Sequence, residues 1–141
     1  MKSTSLDVSW TVREKVVLKL LLGIIFTMKL LTLEEIVEIN KAVGTTGALL
    51  NKGNLEFIVS SIENSNNITK CAATILHDII TLHVFIDGNK RTAFLAMTTF
   101  LSINGSSIQI DQKDAETLVN EIARNKYNKE KVENIIKKLI K

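Results

Sequence analysis

The chain of 141 residues is a single domain's worth of sequence. It is 45% hydrophobic and 23% charged, which excludes a disordered chain, and its lone cysteine, Cys71, excludes both a disulfide framework and a Cys-rich zinc site. A formal charge of +3 is too small to argue for a nucleic-acid partner by itself, and the chain holds no proline and only three arginines, Arg13, Arg91 and Arg124.

Residues 1–9 are polar. Thr11 and Glu14 form a capping-box pair that predicts a helix over 11–28. The apolar run from Val16 to Leu31 is interrupted by Lys19 and Lys29 and lacks a small-residue cleavage pattern. A membrane span needs roughly 20 mainly apolar residues, so a buried or interface helix is expected here. A cytoplasmic protein without membrane association follows from one cysteine and no export signal. Thr32 and Glu35 repeat the capping box, and Leu33, Ile36 and Val37 give the next helix an apolar face that ends at Gly44. Residues 44–54 (GTTGALLNKGN) are rich in breakers and suit a short hairpin or an exposed flap.

Leu55, Ile58, Val59 and Ile62 recur at i, i+3, i+4, i+7 and mark an amphipathic helix. A polar connection at 64–67 leads into a helix to about Leu82, with Ala72, Ile75, Leu76 and Ile79 inward. His83 to Gly88 is a break. The helix from about Asn89 to Ile103 carries apolar residues over nearly its whole circumference, which places it at the centre of the domain. Asp111 caps a helix with Leu118, Val119 and Ile122 inward, and a final helix from Lys129 buries Val132, Ile135, Ile136 and Leu139. The only β-like pieces lie at 44–53 and 106–110. The expected fold is all-α, six to seven helices around a buried central helix at 89–103, with a short flap.

One segment, HVFIDGNKRTA (83–93), concentrates chemistry at the mouth of that helix. A helix start presents unpaired N–H groups and the positive end of the dipole, so anions bind there readily. Gly88 permits close approach of a ligand to the backbone. Asn89 can cap the helix or donate its amide. Lys90 is a point charge, and the planar fork of Arg91 suits bidentate phosphate contact. Asp87 could hold Mg²⁺ bridging phosphates. His83 could take a proton from an attacking hydroxyl. Each feature alone has an ordinary structural explanation as a cap, a turn or a solvated face; their order together does not.

The segment resembles the signature of the Fic/Doc (Fido) family, HxFx[D/E]GN[G/K]R, met at His83, Phe85, Asp87, Gly88, Asn89, Lys90 and Arg91. LLTLEEIVEIN (30–40) looks like the family's leading helix, GALLNKGNLEFIVSSI (47–62) like its flap and following helix, and residues 73–105 like its central helical pair. The resemblance implies a Fido-type bundle over 30–141 and an N-terminal helical extension over 1–29, which could cover the core, form a dimer interface or sit near the site.

Adenylylating members usually carry GNGR and a second arginine three residues on. This chain has Lys90 and Phe94 at those positions. GNKRTA is similar to the death-on-curing (Doc) branch, associated with toxin–antitoxin modules, whose members transfer the terminal phosphate of ATP to a threonine hydroxyl of translation elongation factor Tu. The resemblance therefore implies ATP and Mg²⁺ as cofactors and His83 as general base. It implies Asp87 as the metal ligand and Gly88, Asn89, Lys90 and Arg91 as the phosphate-binding set. The flap residues Gly47, Leu49, Leu50 and Asn51 would hold the target by strand addition. A Fic-type adenylyltransferase and a non-catalytic anion- or partner-binding module are the alternative readings. Val84 replaces the usual proline of the motif, and the family's autoinhibitory [S/T]xxxE[G/N] pattern is absent, so control would fall to a separate antitoxin. His77 lies on another face of the helix that precedes His83, where a structural part is expected ahead of a functional one, and the isolated Trp10 and Tyr127 carry no signal.

Overall fold

The computed structural model describes residues 11–14, 17 and 28–141. Thr11 and Glu14 exchange the two capping-box hydrogen bonds, at 2.9 and 3.1 Å. The rest of the helix expected over 11–28 lies almost wholly outside the described residues.

Six helices are described in full: α1 (Leu33–Ala42), α2 (Lys52–Glu63), α3 (Ile68–Thr81), α4 (Asn89–Ile103), α5 (Gln112–Ala123) and α6 (Lys129–Leu139). No named strand occurs among the described residues. Two isolated antiparallel bridges join Leu49 to Phe85 and Ile108 to Ile140, so each β-like piece of the sequence pairs once. The breaker-rich segment is thus a flap paired with the motif loop, not a hairpin closed on itself.

The starts of the helices follow the sequence closely. Thr32 and Glu35 form the full capping box of α1. Asn51, Asn67, Asp111 and Asn128 each accept an N–H bond from three residues on, which caps α2, α3, α5 and α6. The start of α4 differs: its N-cap is Gly88, in the left-handed region at φ +78°, with no side-chain cap.

The most enclosed helix is α3, not α4. Nine of its residues, Cys71–Leu76 and Asp78–Ile80, are buried, and it packs against α2, α4, α5 and α6. Helix α4 lies against α1, α3 and α5. It buries Thr92, Ala93, Ala96, Met97, Phe100 and Leu101 but leaves Leu95 and Ile103 exposed. Its all-round apolar sequence therefore reports a helix with one open side. Leu55, Ile58, Ile62, Ile75, Leu76 and Phe100 are among the fully buried side chains of the core.

Helix α6 is fixed to α3 by charge as well as packing. The Asp78 carboxylate is buried and receives Lys129 Nζ and His77 Nδ1, each at 2.8 Å. Burial pushes the Asp78 carboxyl up, but the hydrogen bonds from His77 and Lys129 and their charges outweigh it and hold it below its usual range.

Candidate functional site at the start of helix α4

The motif loop runs from the end of α3 to the start of α4. Val84 and Phe85 are buried and anchor it. Val84, where the motif more commonly has proline, packs fully, so its apolar bulk keeps the anchor. His83 and Ile86 stay exposed. His83 adopts φ +47°, a left-handed conformation that is unfavourable for a non-glycine residue. Such strain collects where a side chain has to be aimed.

Asn89 closes the loop. Its Oδ1 accepts from Phe85 N and its Nδ2 donates to Phe85 O, both at 2.8 Å. One planar amide thus copies the bonding of a neighbouring strand. The Asn89 side chain is engaged with the loop's own backbone and does not cap the helix. The exposed Asp87 accepts the Gly88 N–H at Oδ1, 2.8 Å away. Its Oδ2 has no hydrogen-bond partner among the described residues, which leaves that oxygen to meet a hard cation.

Beyond Gly88 the first-turn N–H groups of α4 face no side-chain acceptor, and Lys90 and Arg91 stand exposed on that turn. Cations there oppose the helix dipole, and an anion at this turn would be favoured by both the cations and the dipole. Arg91 places Nη1 on the Val43 carbonyl at 3.0 Å, so one arm of the fork is held at the end of α1. A groove of about 690 Å³ opens beside these cations, lined by Val43, Lys90, Arg91, Phe94, Leu95 and Ile110 among others. A second hollow of about 640 Å³, between α5 and α6, touches no motif residue.

The flap lies directly against the motif loop. Leu50 N and Asn51 N donate to Val84 O at 2.9 and 3.1 Å, and Ile86 N donates to Ala48 O at 3.0 Å. Alternation along an extended segment then turns the Leu49 N–H and C=O to the opposite edge. The four predicted flap residues therefore divide. Leu49 packs inward and opposes Phe85; Leu50 is 64% exposed; Asn51 caps α2; and Gly47, at φ +77°, fits under Lys41 and Val37 where a Cβ would collide.

Sequence reasoning missed Asn40. It is fully buried on α1 yet polar. Its Nδ2 donates to Asp87 O at 3.0 Å and Thr92 Oγ1 at 2.9 Å, and its Oδ1 accepts from Gly47 N at 2.9 Å and Thr45 Oγ1 at 2.6 Å. The available signal was positional: Leu33, Ile36, Val37 and Asn40 share one helical face, and an asparagine stands where the pattern calls for an apolar residue. Among the described residues no group of three or more metal-ligating side chains occurs, and no helix is long and apolar enough to cross a membrane.

The described residues form an all-helical bundle that presents a histidine, a carboxylate and two cations at a helix start without a side-chain cap, with a paired flap alongside. Residues 30–101, slightly more than half of the chain, match the Fic/DOC family, and the chain belongs to it. It is also 46% identical over 54 residues to a protein named Toxin Doc from Mycolicibacterium smegmatis. That stretch is 37% of this chain and spans 42% of the relative's length.

Proposed function

We propose that the chain is a Doc-like toxin that transfers the terminal phosphate of ATP to a hydroxyl of a protein, with threonine on a translation factor such as elongation factor Tu as the expected acceptor. The supporting observation is the start of α4. It is the one fully described helix without a side-chain cap, and it carries Lys90 and Arg91 where the dipole disfavours cations. Lys90 and the half-buried Phe94, in place of the glycine and second arginine of adenylylating relatives, favour the phosphotransferase reading over adenylylation. The likeness to Toxin Doc supports a toxin's part, and we place it in a toxin–antitoxin module in the cytoplasm with a separate antitoxin as partner. We assign the catalytic domain to 30–141 and treat 1–29 as an extension.

In this reading His83 takes the proton from the acceptor hydroxyl as the new P–O bond forms and the bond to the leaving diphosphate breaks. Arg91, Lys90 and the first-turn N–H groups hold the phosphates. Gly88 serves the phosphate set through the turn it makes into α4 at φ +78°, and Asn89 keeps the loop in shape by its clamp on Phe85. Asp87, through its free Oδ2, is the residue that would hold Mg²⁺, which when bound supplies charge neutralisation on the phosphate oxygens. The outward edge of the flap at Leu49, flanked by exposed Leu50, would receive the target segment as an added strand. Phosphoryl transfer is chiefly positioning and charge stabilisation, so this small set of groups suffices.

The test is transfer of label from ATP marked at the γ or the α phosphate to proteins of a bacterial lysate. Label from the γ position, abolished in His83→Ala, is the expected result. Label arriving from the α position alone would establish adenylylation, and transfer from neither would leave a binding module.

A further inference from the structure

The Asn40 side chain touches both the motif loop and the start of the flap. An asparagine amide offers two donors and two acceptor lone pairs, and all four are used: Asp87 O and Thr92 Oγ1 on one side, Gly47 N and Thr45 Oγ1 on the other. The two sides belong to different working parts. Asp87 O lies immediately before Gly88 and fixes where the motif loop turns into α4, while Gly47 begins the flap. Because the amide is planar, Nδ2 and Oδ1 cannot move independently, and a shift on one side has to be answered on the other.

A steric contact reinforces the link. A Cβ on Gly88 would lie 2.9 Å from Thr45 Cγ2 and 3.4 Å from Asn40 Nδ2, so the loop turn is closed against the same cluster. Thr45 Oγ1 lies 2.6 Å from both Asn40 O and Asn40 Oδ1, and its single proton serves the two in turn.

We propose that Asn40 is a positioning residue that couples the flap to the motif loop, so that the main-chain edge receiving the target and the helix start receiving the phosphates keep one relative placement. The positioning role rests on the phosphoryl-transfer reading; the coupling does not. Thr92→Val removes one of the two acceptors of Nδ2 at nearly constant shape, and Thr92→Ser keeps it. Neither change touches the flap directly.

Amide hydrogen exchange at Gly47 in the folded full chain reads the coupling. Exchange about tenfold faster in Thr92→Val and near wild type in Thr92→Ser is the expected result. Gly47 exchange unchanged in Thr92→Val overturns the coupling. Rates of γ-label transfer to lysate protein at varied ATP read the positioning. A maximal rate about tenfold lower in Thr92→Val is expected, with the half-saturating ATP concentration unchanged and the rate restored in Thr92→Ser. A full rate alongside accelerated exchange overturns the positioning role. A wild-type chain that transfers no label overturns the phosphoryl-transfer reading instead, and the exchange arm still decides the coupling.

Discussion

Two buried polar side chains tie different elements of the bundle together, and they differ in charge. Asp78 on α3 is ionic, held by Lys129 of α6 and by its neighbour His77. Asn40 on α1 is neutral and holds two loops through four hydrogen bonds. A buried carboxylate repays its desolvation only with close cations, and it binds helices that need never move. In the proposed reading the motif end has to stay attractive to an anion. A neutral amide can be fully satisfied there without adding negative charge beneath Lys90 and Arg91. The difference separates a stabilising network from one that serves a site.

That contrast predicts which variants lose rate and which lose stability. The largest effect is expected at His83, where His83→Ala should lower transfer about 10²–10⁴-fold if it is the general base, with little change in melting temperature because the side chain is exposed. His83→Gly should lose as much rate yet gain about 0.5–1 kcal/mol in a denaturant titration, since glycine relieves the left-handed φ. A loss of stability in His83→Gly would show that the histidine is held for packing.

Arg91→Lys keeps the charge but loses the fork and the bond to Val43 O. We expect transfer to fall about tenfold, an effect of about 1.4 kcal/mol on the barrier, while the melting temperature stays near wild type. A wild-type rate would mean that charge alone is needed at this position.

In the ionic network, Lys129→Met should cost about 1–2 kcal/mol and leave transfer unchanged. This reaches somewhat below the range for a charged hydrogen bond, because the Lys129 side chain is 40% exposed and screened by solvent. The pH dependence has a definite sign. The Asp78 carboxyl is lowered on folding, so its contribution is present above the unfolded value, near about 4, and is lost as pH falls through the folded value. Thermal melts of Asp78→Asn should therefore depend less on pH than wild type below about pH 4. Equal slopes would remove Asp78 from the acid side of the stability curve. The smallest effect concerns Cys71. Burial raises its thiol pKa, against weaker opposing effects of Ser65 and Lys70, so the native chain should react slowly with a thiol reagent at pH 8 and quickly once unfolded.

Much of this was legible residue by residue. Asp111 is followed by an inward-facing Leu118, Val119 and Ile122, and α5 begins and buries those residues as read. The motif was legible because its chemistry is local: nine residues carry the loop, the helix start and both cations. What escaped the reading joins distant segments. Asn40 and Asp87 are 47 positions apart, and Asn40 and Thr92 are 52 apart. The centrality of α3 escaped as well, because an apolar circumference does not say which neighbours surround it.

The sequence by itself determined the helices, their caps, the all-α class and the order of groups in the motif, because capping and periodicity act over three or four residues. Only the tertiary structure decided how those groups are spent. It turned Asn89 inward onto Phe85, gave His83 its left-handed backbone, and set the flap against the motif loop with Asn40 between them. The physical reason is that a buried polar atom has to find its partners wherever the fold brings them, and those partners need not be near in the chain.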